Sequence, residues 1–246
     1  MDPAALVFVH GLLGFNEIRC LGGSIHYFRR LDGYLRSLGL TAYFPALPPR
    51  GAIAERARVL ATHLAGIRAE RLYLIGHSLG GLDCRYLIHQ LDPGHRVQQL
   101  VTVATPHRGS PLACWMLETR GPIQWIGQRW MRRILEDLTP QSCSHFNQQV
   151  SDRSDVRYVS YGAVRPVMEM PLWLRPWTRR IAATAGENDG QVPLSSTLWG
   201  EVKGVVRADH FELAGWSLGW PAQRIQRPFD HLRFYRGIIA DHAPCR

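Results

Sequence analysis

A glycine-flanked serine directly behind an apolar segment is the feature that most constrains how this chain can fold. Residues 72–75 are continuously apolar, residues 76–80 read Gly-His-Ser-Leu-Gly, and residues 79–90 carry apolar side chains at helical spacing. A strand that enters a helix through such a turn exposes the serine hydroxyl at the end of a sheet, and the crowded, strained turn needs glycines. The pattern predicts that Ser78 is a nucleophile. The alternative is a turn serine that only caps the following helix.

Length and composition predict one folded domain. A chain of 246 residues with 46% hydrophobic and 20% charged side chains is large enough for a buried core and is not typical of disorder. The net charge of +9 comes from scattered basic residues, which indicates a solvated basic surface, with anionic membrane headgroups as an alternative partner. No nucleic-acid-binding motif is present in the sequence. We therefore expect a single domain over residues 1–246 that binds no nucleic acid.

The cysteines and the N-terminal sequence indicate the cellular compartment in which the protein is expected. The five cysteines are isolated and show no Cys-x-x-Cys spacing, so neither a disulfide framework nor a zinc site is predicted. The first residues have no basic region or cleavage site of a signal peptide, and no segment approaches the roughly 18 apolar residues that span a bilayer. These features predict a cytoplasmic location without a transmembrane segment, and signal-independent secretion is the alternative.

Apolar strand patterns alternate with helical patterns along much of the chain. Strands are predicted at residues 6–9, 41–44, 72–75, 97–104, 156–161, 181–185 and 202–206, and helices at residues 24–38, 52–67, 79–90 and 229–239. Such alternation requires right-handed crossovers. We therefore expect an α/β fold with a mostly parallel sheet of about six strands and helices on both faces.

Two stretches, residues 112–153 and 164–180, interrupt the alternation. The first has no strand pattern and carries a helical segment with one apolar face, formed by Ile126, Trp130, Ile134 and Leu138. It would lie above Ser78 as a cap or lid, and a fixed helix packed on the core is the alternative. The second is crowded with tryptophan, leucine and methionine between prolines, which predicts either an acyl-binding surface or a proline-broken part of the core.

A serine hydroxyl becomes a good nucleophile only when a histidine accepts its proton and an acid orients that histidine. After a turn of this type, the acid and then the histidine follow the serine along the chain, on loops at the carboxyl ends of later strands. Asp189 stands before a glycine in a polar turn after the strand predicted at residues 181–185, so it is the predicted acid. Glu187 in the same turn is the alternative.

The predicted base is His210, because it stands in a loop behind the last predicted strand. His231 and His242 also follow Asp189 in sequence, but His231 falls within the closing helical pattern and His242 lies near the end of the chain. A surface histidine without a catalytic role is the alternative interpretation of His210.

An oxyanion formed during attack on a carbonyl group needs two preorganised backbone N–H donors. One comes from the residue after the serine and the other from a loop behind an early strand. Leu79 follows Ser78, and Leu12 lies in the glycine-rich loop at residues 10–14, so these two are the predicted oxyanion-hole residues. His10 is expected to brace that loop.

Taken together, residues 10–18, 76–81, 105–110, 188–190 and 209–210 resemble the bacterial true lipases of the Pseudomonas, Burkholderia and Proteus type. The resemblance implies an α/β-hydrolase fold, a movable lid, and hydrolysis of triacylglycerol or other long-chain acyl esters through an acyl-enzyme at Ser78. The implied partners are a small-molecule acyl ester or lipid and a transient contact with a lipid interface. Acyl transfer or thioester hydrolysis by the same residues is an alternative, and a non-catalytic membrane- or partner-binding protein of this fold is another.

No cofactor is expected from the residues. The lipases that the chain resembles hold a structural calcium ion with two aspartates, one of them two residues after the catalytic histidine. Here that position is Glu212, and the other ligand would have to come from Glu169 or its neighbours.

Overall fold

The computed structural model describes residues 2–12, 17–20, 23–119, 131–218 and 229–242. Its strands are β1 (Asp2–Val9), β2 (Glu17–Cys20), β3 (Gly23–His26), β4 (Ala42–Tyr43), β5 (Ala69–His77), β6 (Val97–Val103), β7 (Arg157–Val164) and β8 (Glu201–Arg207). Strands β4, β1, β5, β6, β7 and β8 form, in this order, a parallel sheet, and β2 pairs with β3 in a separate antiparallel ribbon.

The helices connect the strands and extend over the carboxyl ends of the sheet. They are α1 (Leu31–Ser37), α2 (Ile53–Ala65), α3 (Leu79–Gln90), α4 (Pro111–Glu118), α5 (131–137), α6 (Pro140–Gln149), α7 (Arg175–Ala185), α8 (Leu194–Thr197) and α9 (His231–His242). Short 3₁₀ turns lie at Val167–Glu169 and Glu212–Ala214. Within the described residues, no helix combines the length and the apolar character needed to cross a membrane.

Both faces of the sheet are covered by helices. Val7 and Leu74 pack with α2 and α3 on one face, whereas their neighbours Phe8 and Ile75 pack with α1 and α9 on the other. Successive side chains of a strand point to opposite faces, so each central strand contributes to both halves of the core. The predicted parallel sheet of about six strands with helices on both faces is confirmed.

Two of the predicted elements are wrong. Residues 181–185 are not a strand: they form the last part of α7, with Ile181 buried and residues 182–184 exposed, which is the one-sided burial of a surface helix. An apolar run this short does not distinguish strand from helix, and its alanines favour a helix. Residues 24–38 are not one helix either, because β3 occupies the start and α1 begins only at Leu31, after the left-handed backbone of Arg30 at φ 60°.

The insertion predicted at residues 112–153 contains most of α4, all of α6 and the segment α5 between them. Ile134 in α5 packs against Ile53, Leu79 and Leu82, and Asp137 accepts a hydrogen bond from the Ile53 backbone N–H at 3.0 Å. Thus α5 is packed on the core, as the fixed-helix alternative predicts. Ile126 and Trp130 lie outside the described residues, and movement of a lid stays a prediction.

Candidate active site

Ser78 stands at a strained turn between β5 and α3. Its backbone has φ 56° and ψ −131°, a region that non-glycine residues rarely occupy. A Cβ on Gly76 would lie 2.6 Å from the Gly81 Cα, and one on Gly80 would lie 2.3 Å from the Val9 carbonyl oxygen. The two glycines of the motif are therefore required by close backbone contacts, and the turn that the sequence predicted has the expected geometry.

Three predicted site residues form a continuous hydrogen-bonded series. The Ser78 Oγ lies 2.9 Å from the His210 Nε2, and the His210 Nδ1 lies 2.6 Å from the Asp189 Oδ2. The other oxygen of Asp189 accepts backbone N–H groups of Gln191 at 2.9 Å and Val192 at 2.7 Å. Because the carboxylate is fixed on both sides, it selects the tautomer in which Nδ1 donates and Nε2 accepts the serine proton.

The acid loop reaches this position through contacts with β7 rather than through a strand of its own. The backbone N–H of Arg165, the first residue after β7, donates to the Asn188 carbonyl at 3.0 Å. The His210 N–H donates to the Asp189 carbonyl, also at 3.0 Å. The loop that carries Asp189 therefore lies between the carboxyl ends of β7 and β8, within hydrogen-bonding distance of His210.

The alternative acid and bases are placed elsewhere. Glu187 is exposed on the acid loop. His231 lies on α9, where its Nε2 is 2.8 Å from the Arg29 carbonyl oxygen, and the side chain of His242 lies outside the described residues. Among the sequence candidates that the structure describes, Asp189 and His210 are the acid and base within reach of Ser78.

Both predicted oxyanion-hole residues lie beside the serine. Leu79 is the first residue of α3, so its N–H is among the helix donors without an intrahelical acceptor. Leu12 lines the same cavity as Ser78, and the preceding Gly11 packs so closely that a Cβ there would lie 2.8 Å from the Ser78 Cβ. Donation by these two amides to an oxyanion stays a prediction that the positions permit.

The loop that carries Leu12 is held from behind by a buried network. His10 Nδ1–H donates to the Gly11 carbonyl at 3.0 Å, and His10 Nε2 accepts the Leu47 N–H at 3.0 Å. Arg56 donates to the His10 carbonyl at 2.8 Å and pairs with Asp83, also at 2.8 Å, with both side chains fully buried. The support of this loop by His10 is predicted from the sequence, whereas the contribution of Arg56 and Asp83 is not.

The network predicts a specific pH dependence of stability. Burial and the neighbouring Arg56 guanidinium lower the pKa of His10 from 6.5 to about 4. Between these values His10 binds a proton more readily in the unfolded chain than in the folded one, so its contribution to stability is full above pH 6.5 and is lost towards pH 4. A His10→Gln variant has no such group. Over this interval the parent should lose about 3 kcal/mol more of its unfolding free energy than the variant.

Denaturant unfolding of parent and variant at matched pH values measures this difference. Equal losses of stability on acidification in both proteins would contradict a buried, neutral His10.

A second buried histidine, His77, lies beside His210. Tyr27 Oη lies 2.8 Å from the His77 Nδ1, and the rings of His77 and His210 are 4.8 Å apart. Burial, together with the nearby His210, holds the pKa of His77 well below its usual value, so His77 is neutral. A neutral neighbour would not oppose a positive charge on the His210 ring. The helix predicted over residues 24–38 gives no sign of the contact between Tyr27 and His77.

An apolar cavity of about 520 Å³ opens over the serine, which is within the size range of small-molecule sites. Ser78 and His210 lie on its wall together with Tyr27, His77 and Gln191. Both insertions contribute to the rest of the wall, which consists of Gly190 and apolar side chains. These side chains are Leu12, Leu112, Met116, Met131, Trp173, Leu174, Trp177, Phe211, Ala214, Trp216 and Leu218. An activated serine in such a cavity can attack the carbonyl carbon of a ligand whose remaining surface is hydrocarbon.

Glu212 and Glu169, which stand where the resemblance implies calcium ligands, do not fit that ion. The Glu212 carboxylate is bound by the Arg165 guanidinium, and Glu169 is bound by Arg207. Calcium needs 6–8 oxygen ligands, roughly 2.3–2.6 Å away, and two carboxylates already neutralised by arginines do not supply such a set. Within the described residues, no group of three or more His, Cys, Asp or Glu side chains is arranged to hold a metal ion.

Comparisons with known sequences give consistent matches. The family model for the alpha/beta hydrolase fold matches residues 4–198. Triacylglycerol lipase 2 of Saccharomyces cerevisiae is 30% identical over 240 residues, which cover 89% of this chain and 74% of that protein. A triacylglycerol lipase of Pseudomonas fragi is 32% identical over 112 residues, which cover 44% of this chain and 36% of that lipase.

Solved structures agree on the fold. The lipase of Staphylococcus hyicus superposes with a TM-score of 0.75 at 17% identity, over 98% of this chain and 95% of that one. The mature lipase BlEst2 of Bacillus licheniformis superposes with a TM-score of 0.71 at 21% identity, over 85% of each chain. Together with the sequence matches, these likenesses confirm the resemblance found in the motifs. The chain therefore belongs to the α/β-hydrolase fold family and, within it, to the lipases.

Proposed function

We propose that this protein hydrolyses long-chain carboxylic esters, with triacylglycerol as the substrate class, through an acyl-enzyme on Ser78. Membership among the lipases makes it a carboxylic ester hydrolase. The observation that carries the proposal is the hydrogen-bonded series of Ser78, His210 and Asp189 on the wall of an apolar cavity. The relatives named as triacylglycerol lipases support the choice of acyl ester.

In the first half of the reaction, the Ser78 Oγ attacks the ester carbonyl carbon while His210 Nε2 takes the hydroxyl proton. Asp189 holds Nδ1–H and stabilises the imidazolium that forms. The carbonyl oxygen becomes an oxyanion, for which the backbone N–H groups of Leu12 and Leu79 are the proposed donors. When the tetrahedral intermediate collapses, His210 gives its proton to the departing alkoxide, and the acyl group remains on Ser78.

In the second half, water replaces the alcohol. His210 Nε2 removes a proton from the water as its oxygen attacks the acyl carbon, and the second tetrahedral intermediate uses the same oxyanion donors. Collapse of that intermediate returns the proton to the Ser78 Oγ and releases the carboxylic acid. The free enzyme is regenerated without a cofactor in this scheme.

The cavity wall points to the acyl part of the substrate. Hydrocarbon buried against leucine, methionine and tryptophan side chains gains free energy at about 25 cal/mol per Å² removed from water, whereas an unpaired polar group would be penalised. At the same side, Trp173 and Leu218 line the cavity and are 50% and 41% exposed, and Leu172 is 52% exposed. We propose that this exposed apolar group touches a lipid interface while the acyl chain enters.

An acyl-length series tests the substrate class. We expect kcat/KM for p-nitrophenyl esters to rise with acyl length, and the rate to rise further above the solubility limit of the ester. Trp173→Ala should lower kcat/KM for long-chain esters about tenfold, because it removes aromatic contact area from the cavity, and should leave short-chain esters nearly unchanged.

Val202→Ala is the matched control, since Val202 is 49% exposed on the edge strand β8 and does not line the cavity. Equal losses on short and long esters in the Trp173→Ala variant would argue against an acyl-binding role. A rate that falls with acyl length would argue for a small-ester substrate instead.

A further inference from the structure

We propose that Arg165 is a positioning residue that fixes the loops carrying Asp189 and His210. It lies at the place where the lipases that this chain resembles hold a calcium ion. The inference rests on the proposed function, because it concerns the same triad. Calcium would be unnecessary for activity, and the guanidinium group would be required in its place.

Arg165 contacts both loops at once. It directly follows β7, and its side chain is only 8% exposed. Its backbone N–H donates to the Asn188 carbonyl at 3.0 Å, one residue before Asp189, and its Nη1 donates to the Glu212 Oε2, two residues after His210. A single residue at the carboxyl end of β7 therefore joins the loops that carry Asp189 and His210.

Glu212 links Arg165 to the loop that carries His210. The same Oε2 that accepts from Arg165 also accepts the Asp209 backbone N–H at 3.1 Å. In return, the Glu212 N–H donates to the Asp209 Oδ1 at 2.9 Å. These reciprocal hydrogen bonds close the loop on both sides of His210, so the position of the imidazole depends on where Glu212 is held.

The electrostatics explain why a cation is needed there. Glu212 is 6% exposed, and a buried carboxylate is costly unless a positive partner with good hydrogen bonds accompanies it. The second carboxylate in the cluster, Glu169, is bound by Arg207, whose charge and hydrogen bonds lower the pKa of Glu169. The two arginines thus pair with Glu212 and Glu169, and the third carboxylate of the cluster, Asp209, accepts the backbone N–H groups of Phe211 and Glu212. A divalent cation would have to displace Arg165 from Glu212 to bind.

Hydrolysis of a water-soluble p-nitrophenyl ester by purified variants tests the proposal. Arg165→Ala should lower kcat about 10- to 100-fold, as loss of a supporting contact does at other sites, with KM changed by less than about twofold. Added guanidinium ion should restore part of the lost kcat in this variant. The parent enzyme should keep its full rate and its thermal midpoint in EDTA, and added calcium should change neither.

Two further variants control for misfolding. Arg157→Ala removes an arginine at the opposite end of β7, which pairs with Glu201 on the surface, and should behave as the parent. The double variant Arg165→Met with Glu212→Gln removes both buried charges, so it avoids an unpaired carboxylate and should fold. It should still lose kcat, because the side-chain contact that holds Glu212 is gone, although the backbone N–H of residue 165 still donates to the Asn188 carbonyl.

Three results would overturn the inference. They are inhibition of the parent by EDTA with recovery in calcium, an Arg165→Ala variant as active as Arg157→Ala, and a folded double variant with the kcat of the parent. A parent without esterase activity would count against the proposed function instead. An active parent that gives any of these three results counts against this inference alone.

Discussion

Replacing Ser78 with alanine is expected to lower kcat for ester hydrolysis by on the order of 10⁵-fold, because the acyl-enzyme cannot form without the Oγ. The fold should persist, since the bond that the Ser78 hydroxyl donates to His210 is the only hydrogen bond of that Oγ among the described residues, and alanine bears the same left-handed backbone penalty as serine. Initial rates on p-nitrophenyl esters measure the first effect, and circular dichroism with the thermal midpoint measures the second.

Ser37→Ala is the matched control, because Ser37 lies exposed at the end of α1. It should retain the rate of the parent. A Ser78→Ala variant that is folded and as fast as this control would place the nucleophile elsewhere.

The second large effect is expected at the acid. Asp189→Asn keeps the shape of the side chain, and its Oδ1 can still accept the Gln191 and Val192 N–H groups. An amide nitrogen at the Oδ2 position would donate to His210 rather than accept from it, which selects the wrong tautomer and leaves the imidazolium without its counter-charge. We expect kcat to fall about 10⁴-fold, as loss of the acid does in other serine hydrolases.

This loss is measured in single-turnover acylation experiments, in which the release of p-nitrophenolate reports the acylation rate. Acylation is the step in which His210 is proposed to act as the base. Glu187→Gln on the same loop is the control and should acylate at the parent rate, because Glu187 is exposed. The opposite ranking, with the Glu187 variant impaired and the Asp189 variant normal, would assign the acid to Glu187.

The turn at Ser78 could be predicted from sequence because its strand, its glycines and its helix are adjacent in the chain, although the contact that requires Gly80 comes from Val9 on β1. The apolar strand, the glycines that close contacts demand and the helix that follows all lie within residues 69–90. Asp189 was predicted from a partly wrong premise, since the strand expected before it is the end of α7. Asp189 nevertheless lies beside His210, because the hydrogen bond between Arg165 and Asn188 ties the loop of Asp189 to the end of β7.

The supporting contacts could not be predicted because they join residues far apart in sequence. Arg56 stabilises the loop after β1, and Tyr27 contacts His77, through side chains separated by tens of residues. Arg56 did leave a signal: it falls within the buried face of α2 beside Ile53 and Ala57, where a charge is costly unless it is paired. Arg165 left no such signal in the sequence, since an arginine directly after a strand is common on protein surfaces.

We propose that Ser78 is the nucleophile of an esterase, and the whole mechanism depends on this assignment. A fluorophosphonate bearing an alkyl chain tests it most directly, with the adduct located by peptide mass spectrometry and residual activity measured on the same sample. The account predicts a single adduct per chain on the peptide that contains Ser78, with activity lost in proportion to labelling. Active protein that remains unlabelled, or loss of activity with the adduct on a different residue, would contradict it.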